Sequence, residues 1–177
     1  MNEIQEKVKM QLSAFRLPIF KEIPDNGLYL EQVVQYISMI LKPLGEGLIT
    51  ASMISNYVKK KLVDRPVRKF YYRSQIAYLL YITLTKTVFS LDQIGWCISL
   101  QKAAADRLEE SYEFFRKELE RVLHAVCAVQ NYGFEPSEEE NMAKAMFFNM
   151  IVAIANHIYL EQCYLLMDAN VSPQGIS

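Results

Sequence analysis

The sequence predicts a mainly α-helical protein, with a helix-turn-helix in its N-terminal part and two long helices in its C-terminal part. Three observations lead to this prediction. Apolar residues recur at helical spacing along most of the 177 residues. Glycine and proline, six of each, fall mainly between these periodic segments. The last third of the chain carries a heptad-like apolar seam, which is typical of a long helix with a packing partner.

The first two predicted helices lie at residues 4–15 and 30–41. The first has a single apolar stripe, and Pro18 and Pro24 prevent it from continuing. The second follows the i, i+3, i+4, i+7 spacing closely and is expected to end near Pro43.

A third helix is predicted from a cap at Thr50 to about Lys61, after a short turn that contains glycine. Ile54, Tyr57 and Val58 share one face of this helix and are expected to point inward, which leaves its polar side chains in solvent. Two helices joined by such a turn have the spacing of a helix-turn-helix.

The segment after this helix is predicted to be non-helical, because Pro66 cannot continue a helix. Residues 67–72, rich in aromatic and basic side chains, suit a short extended arm or a hairpin. A further helix is expected to start near Arg73. The next one is expected to start after Ser90, which has capping-box spacing to Gln93.

Two long helices are predicted in the C-terminal part. The apolar seam of the first recurs in alternating steps of four and three and consists of Leu108, Tyr112, Phe115, Leu119, Val122, Val126 and Val129. The second begins with a capping box at 137–140 and is apolar nearly all round from Ala145 to Met167. A membrane span is the competing interpretation of this segment, but polar residues such as Asn149 and Asn156 interrupt it.

The charge is uneven along the chain, although the net charge is only −1. Residues 1–41 have four basic and five acidic side chains (−1), residues 42–102 have ten and three (+7), and residues 103–177 have five and twelve (−7). Most of the basic residues of the middle block lie within residues 59–73, with aromatic residues among them. This distribution suggests an anionic partner for the middle block.

Residues 49–100 resemble the winged-helix DNA-binding domain of MerR-type transcription regulators. The resemblance consists of ISNY at 54–57, the proline-containing segment RPVR at 65–68, Tyr71 and, most specifically, VFSLDQI at 88–94. A closer likeness covers most of residues 16–100. There, RLPIFKEIPDNGLYLEQVVQYI and LITASMISNYVKKKLV are similar to an uncharacterised bacterial family, known only as a domain of unknown function, whose N-terminal part is MerR-like. These resemblances imply a winged helix-turn-helix fold and a DNA partner.

Three departures from the MerR pattern limit what the resemblance implies. Ser55 and Asn56 stand where that pattern has Arg and Tyr, so its base contacts do not carry over. Lys61 stands where that pattern has glycine, which makes the turn after the helix energetically less favourable. The cysteines of metal-sensing MerR proteins have no counterpart here, so no bound metal and no cofactor is expected.

DNA binding requires neutralised phosphates and a helix whose exposed side chains reach base edges. If the third helix is the reader, the amide of Asn56 suits adenine, and Lys59 reaches guanine or phosphate. The predicted DNA-binding residues are Thr50, Ser52, Ser55, Asn56 and Lys59 on the helix, with Lys60, Arg65, Arg68, Lys69 and Arg73 at flanking phosphates.

The alternative function is a non-enzymatic helical protein-interaction module whose basic face binds an acidic protein partner. Catalysis is not expected, because the chain lacks a nucleophile elbow, a Gly-rich phosphate loop and an H-E-x-x-H motif. The pairs Glu120–His124 and His157–Glu161 are interpreted as polar residues of a helical seam rather than metal ligands. Aromatic residues lie among the basic ones and are expected to close a small core rather than stack on bases. They are Tyr57, Phe70, Tyr71 and Tyr72.

The predicted organisation is a DNA-binding domain at 1–101 and a helical dimerisation or effector region at 102–177, with the effector unknown. A homodimer is expected because two-fold pairing doubles the base contacts. The competing account buries the seam within one chain. Free thiols and the lack of a secretory signal in the first residues lead us to expect a cytoplasmic protein. The predicted dimerisation residues are Leu108, Tyr112, Phe115, Leu119, Val122 and Phe148.

Overall fold

The computed structural model describes residues 3–45, 47–104, 107–128 and 142–171. These residues form seven α-helices and no β-strand, which confirms the mainly α-helical class. The helices are α1 Glu3–Ser13, α2 Leu30–Leu41, α3 Ala51–Lys59, α4 Arg73–Thr85, α5 Leu91–Ala104, α6 Leu108–Cys127 and α7 Met142–Val171. Short 3-10 turns lie at Phe20–Glu22 and Lys42–Leu44.

The chain packs as two compact units. The central unit, Arg16–Lys117, contains α2 to α5 and the first half of α6. The terminal unit, Met1–Phe15 with Glu118–Ser177, contains α1, the second half of α6 and α7. The sequence predicts a boundary between two functional regions at 101/102, and this boundary stays a prediction. The boundary between the two packing units is a different one and lies inside α6. The predicted seam position Val129 and the predicted capping box at 137–140 lie outside the described residues.

Helix α4 is the core of the central unit, because its side chains are buried on nearly every face from Gln75 to Thr85. The ring of Tyr81 meets the ring of Phe115 edge-on, with centroids 5.0 Å apart. The hydroxyls of Thr83 and Thr85 donate to the backbone carbonyls four residues earlier at 2.7 Å, which satisfies two buried polar groups.

The predicted capping box at the start of α5 is confirmed. The backbone N–H of Ser90 donates to Oε1 of Gln93 at 2.9 Å, and the N–H of Gln93 donates to Oγ of Ser90 at 3.3 Å. Helix α2 uses half of this arrangement, with the N–H of Tyr29 donating to Oε1 of Gln32 at 2.9 Å. These local bonds satisfy N–H groups that a helix start leaves without intrahelical partners.

Helices α1 and α7 pack against each other in the terminal unit. Val8 and Leu12 of α1 are buried there, and Nε2 of Gln11 donates to Oε1 of the buried Gln162 at 2.7 Å. The guanidinium of Arg121 on α6 lies 5.6 Å from the ring centre of Phe148 on α7. The apolar face of α7 on this side is therefore used inside the unit.

The predicted dimerisation residues lie inside the chain. Tyr112, Phe115, Leu119, Val122 and Phe148 are each at most 4% exposed, and Leu108 is half-buried. Within the central unit, the hydroxyl of Tyr112 donates to the carbonyl of Pro18 at 2.9 Å, and Phe115 packs on Tyr81. These side chains pack within one chain in this structure, as the intramolecular account of the seam expects. Their role in a homodimer and the homodimer itself stay predictions.

Candidate nucleic-acid interface

The start of α3 is fixed by a cap and by a lysine from beyond α4. Oγ1 of Thr50 accepts the N–H of Met53 at 3.2 Å, as the sequence predicts. The ammonium of Lys86 donates to the Leu48 carbonyl at 2.5 Å and lies 3.3 Å from Sδ of Met53. Partial burial lowers the pKa of Lys86. Helices α2 and α3 also pack together, so their arrangement is defined.

The two faces of α3 are close to those that its sequence predicts, although Val58, which was expected to point inward, is only half-buried. Ile54 and Tyr57 are buried, while the predicted DNA-binding residues of this helix, Ser52, Ser55, Asn56 and Lys59, are exposed, as is Thr50 at its cap. The hydroxyl of Ser55 donates to the carbonyl of Ala51 at 2.9 Å, so its proton is used within the helix. The hydroxyl of Thr50 accepts the capping bond and keeps its proton for another acceptor.

Helix α3 ends in a Schellman motif with lysine at the position that usually holds glycine. The N–H of Leu62 donates to the carbonyl of Tyr57 at 3.0 Å, and the N–H of Lys61 donates to that of Val58 at 3.0 Å. Lys61 has φ 60°, in the left-handed region. The sequence has lysine where the MerR pattern has glycine, and this lysine does adopt the left-handed conformation. Leu62 is buried, and a Cβ added to Gly95 of α5 would lie 3.1 Å from its side chain.

The segment after α3 forms a hairpin closed by two residues, which confirms the hairpin alternative of the sequence prediction. Val67 and Phe70 form an antiparallel bridge with N–H to carbonyl distances of 3.0 and 2.9 Å. The closing residues Arg68 and Lys69 have φ 50° and 73°. Positive φ at both central positions is the pattern of a type I′ turn, which usually contains Asn-Gly.

The hairpin is held by the loop that precedes α2. Leu28 and Tyr71 form an antiparallel bridge with distances of 2.9 and 2.8 Å. The rings of Tyr29 and Phe70 lie 4.4 Å apart. Gly27 has φ 80°, and a Cβ there would lie 3.2 Å from Phe70, so a side chain at this position would press on the hairpin.

Gln75 joins both ends of this segment and was not singled out by sequence reasoning. Its side chain is 5% exposed. Its Nε2 donates to the carbonyls of Asp64 and Arg65 at 3.1 and 2.9 Å, and its Oε1 accepts the N–H of Tyr72 at 2.8 Å. The spacing from Tyr72 to Gln75 has the glutamine of a capping box. The spacing does not reveal that Gln75 is buried and bonds both ends of the segment, because this depends on tertiary packing.

The six cationic residues Lys59, Lys60, Lys61, Arg65, Arg68 and Lys69, called the basic segment below, are all exposed. Lys60 has one weak partner, because its Nζ lies 3.6 Å from Asp92 in an exposed pair. No side-chain hydrogen bond or ion pair to another described residue involves the remaining five. Their charges are therefore available to a ligand.

Arg73 differs from the rest of the predicted set. Its Nε and Nη2 donate to the carbonyls of Ile23 and Lys21 at 2.9 and 3.2 Å, and its Nη1 lies 3.4 Å from Asp25. The guanidinium also lies 5.9 Å from the ring centre of Phe20. These contacts tie the start of α4 to the 3-10 turn, so we leave Arg73 out of the proposed DNA contacts.

The described residues contain no cluster of three or more His, Cys, Asp or Glu side chains that could hold a metal ion. The cysteines Cys97, Cys127 and Cys163 are free. Burial raises the pKa of the Cys97 and Cys127 thiols, which keeps them protonated at neutral pH.

Comparison with protein families places the central part of the chain in a family. The model of the family described as a domain of unknown function (DUF1836) matches residues 18–117. This range coincides closely with the central unit, Arg16–Lys117, and ends with it inside α6. No curated protein and no solved structure matches the chain.

Proposed function

Because the chain belongs to the DUF1836 family, whose function is unknown, we propose a function from the geometry of the basic segment. The protein binds double-stranded DNA and acts as a transcription regulator of the MerR-like winged helix-turn-helix type. Helix α3 lies in the major groove, and the hairpin of residues 67–70 contacts flanking phosphates.

The backbone of the basic segment carries this proposal. Among the described residues, three that are not glycine have a positive φ: Lys61, Arg68 and Lys69. Each of them is cationic. A non-glycine residue in this region is uncommon, and strained positions of this kind cluster at functional sites. Glycine or asparagine would serve the fold better at each position. The positive charge therefore has a use outside the fold, which an anionic ligand provides.

The polarity of α3 supports DNA over a simple counterion. Asn56 is exposed and offers an amide that can bond adenine bidentately, and Lys59 lies one turn further along the helix. Both project from the face opposite to the buried Ile54 and Tyr57. A helix with one face in the core and a short polar face outside matches what a recognition helix requires.

The test is binding of a labelled random DNA duplex at several salt concentrations. We expect affinity to fall steeply as salt increases, because each neutralised phosphate releases counterions. Replacing Lys59, Arg68 and Lys69 with alanine should reduce the slope of log K against log salt by about 2.7, from about 0.9 for each lost phosphate contact.

A matched control removes three exposed lysines elsewhere. The Lys102→Ala, Lys117→Ala, Lys144→Ala variant loses the same charge, so its slope should stay near that of the wild type if contacts rather than net charge matter. An equal loss of slope in both variants would contradict a localised DNA surface.

A second candidate is a protein-interaction module that binds an acidic protein partner. One observation favours it: Val67, in the hairpin itself, is 58% exposed, and Tyr29 beside Phe70 is 49% exposed. Exposed apolar and aromatic side chains are typical of protein interfaces. No duplex binding at 50 mM salt, where phosphate contacts are strong, would favour this candidate.

A further inference from the structure

One face of α7 points into solvent along nearly the whole helix. Its positions follow one another in steps of three and four, the spacing of a helix seam. We call this face the outer stripe. It consists of Met142, Met146, Asn149, Ala153, Asn156, Leu160, Tyr164 and Met167.

The outer stripe is uncharged and mostly apolar, where an exposed helix face is normally charged. Met142, Leu160, Tyr164 and Met167 are 88%, 64%, 63% and 55% exposed. None of its eight residues is charged, although the outer face of a globular helix is usually rich in charge. Leu160, Tyr164 and Met167 follow one another on this face, and contiguous exposed apolar residues mark an interaction surface.

The opposite face of α7 limits what the stripe can meet. Ile151, Ile154 and Ile158 are buried on that side, and Gln162 bonds Gln11 of α1. The segment Lys144–Asp168 is long and apolar enough to cross a membrane by length and composition, and 33% of its most apolar window is buried in the fold. Membrane insertion would break these contacts.

The charges of α7 also disfavour adsorption to an anionic lipid surface. Helices that lie on such surfaces carry several lysine or arginine residues on their polar face. Helix α7 has one, Lys144, against the acidic Glu161 and Asp168. Lipid is therefore a poor occupant for the outer stripe.

We propose that the outer stripe of α7 binds the outer stripe of a second copy of this chain, which makes the protein a homodimer. An uncharged face meets its own copy without the repulsion that a charged face would suffer, and self-complementary contact is what a two-fold dimer requires. The seam spacing fits a partner helix with the same spacing, which a second copy supplies.

The polar and small residues of the stripe fit a helix–helix contact. Asn149 and Asn156 each donate one N–H to the carbonyl four residues earlier at 2.8 Å. Each amide keeps its second N–H and its oxygen for a partner. Single asparagines in an apolar seam fix the register of paired helices. Ala153 lies between them and permits close approach of the two backbones.

The length of the stripe is consistent with a dimer of moderate affinity. From Met142 to Met167 it covers about 39 Å at about 1.5 Å per residue, on a helix roughly 10 Å wide. This footprint, about 390 Å² on each copy and roughly 780 Å² in total, is below the total of about 1,200 Å² that stable interfaces bury, so it fits a dimer of low to moderate affinity. We therefore expect dissociation to be measurable at micromolar concentrations.

Sedimentation equilibrium on the full chain tests the proposal with two matched variants. Leu160→Glu places a charge on the stripe, and Leu165→Glu places the same charge on the same helix outside it, at a residue that is also exposed. The wild type should sediment near twice the 20.5 kDa chain mass at 100 μM. Leu160→Glu should raise the dimer dissociation constant at least tenfold, whereas Leu165→Glu should change it less than twofold.

Three results would overturn the proposal. One is a wild-type mass near a single chain at 100 μM, and another is equal weakening by both variants. The third is flotation of the wild type with neutral phosphatidylcholine vesicles, reduced by Leu160→Glu, together with a monomer mass in their absence. That result would make lipid the occupant. Dimerisation is measured without DNA, so its outcome is separate from that of the proposed DNA binding.

Discussion

At the scale of single residues, three positions of the basic segment place a cationic side chain on a backbone conformation that lowers the stability of the fold. An L-residue in the left-handed region costs roughly 1–2 kcal/mol, and Lys61, Arg68 and Lys69 all occupy it. Glycine avoids this cost because it has no Cβ. A cation at each position is therefore expected to be worth more to binding than to folding.

Lys61→Gly should change stability and DNA binding in opposite directions. We expect the free energy of unfolding to rise by about 1 kcal/mol, because glycine relieves the strain at φ 60° while losing more entropy on folding. The slope of log K against log salt should fall by about 0.9, since one phosphate contact is lost. Urea denaturation and fluorescence anisotropy with labelled duplex measure the two effects.

Lys60→Gly is the matched control for this prediction. It removes the same charge from the neighbouring residue, whose φ is −77°, so glycine relieves no strain there and should not stabilise the fold. Increased stability of both variants would show that the left-handed conformation is not the cause. Unchanged DNA binding by Lys61→Gly would remove Lys61 from the proposed contacts.

At the scale of elements, Glu113 of α6 connects the 3-10 turn Phe20–Glu22 to the rest of the central unit. Its Oε1 accepts the N–H of Phe20 at 2.7 Å, and its Oε2 accepts two bonds from Arg116 at 2.8 and 3.1 Å. Partial burial works to raise the pKa of Glu113, but the bonds from Arg116 and Phe20 outweigh it and hold the pKa below its usual 4.5. The charged form therefore stabilises the fold.

Glu113→Gln should destabilise the protein at neutral pH and lose this effect in acid. The pKa of Glu113 is lower in the folded chain than in the unfolded one, so its contribution is complete above pH 4.5 and declines as pH falls through the folded value. Urea denaturation of both proteins between pH 7 and pH 3 should give curves that converge below pH 4.5. Glu110→Gln, exposed on the same helix, should match the wild type throughout. A constant difference at all pH values would contradict the role of the charge.

Elements whose signals are local were predictable from the sequence. The cap at Thr50 and the capping box at Ser90 each depend on side chains within three residues, and both are present. The turn at Lys61 was identifiable because the MerR pattern, which the segment resembles, has glycine at this position after the helix. The mainly helical class followed from apolar spacing alone.

Contacts between distant segments were not predictable from these patterns. The pairing of Leu28 with Tyr71 and the hydrogen bonds of the buried Gln75 depend on which elements become neighbours. The heptad-like seam of α6 indicated a packing partner, but the spacing does not show whether that partner belongs to the same chain. In the structure, Phe115 of the seam packs against Tyr81 of α4. The outer stripe of α7 escaped notice because a helix apolar on all sides conceals which side remains outside.

At the scale of the whole molecule, the two proposals assign different tasks to the two packing units. The basic segment lies in the central unit, which the family match also covers, and the outer stripe lies in the terminal unit. A dimer formed through α7 would carry two basic segments, one from each copy. Duplex DNA that engages both would release about twice as many counterions as DNA that engages one.

Leu160→Glu should therefore halve the salt dependence of DNA binding without touching the basic segment. At protein concentrations where the wild type is a dimer, its complex with a duplex of about 30 base pairs spans two half-sites one or more helical turns apart. The Leu160→Glu monomer should occupy a single half-site, with a slope of log K against log salt near half that of the wild type. Leu165→Glu should keep the full slope. An unchanged slope in Leu160→Glu, measured where sedimentation shows it to be a monomer, would mean that one copy makes all the phosphate contacts and that dimerisation has no part in DNA binding.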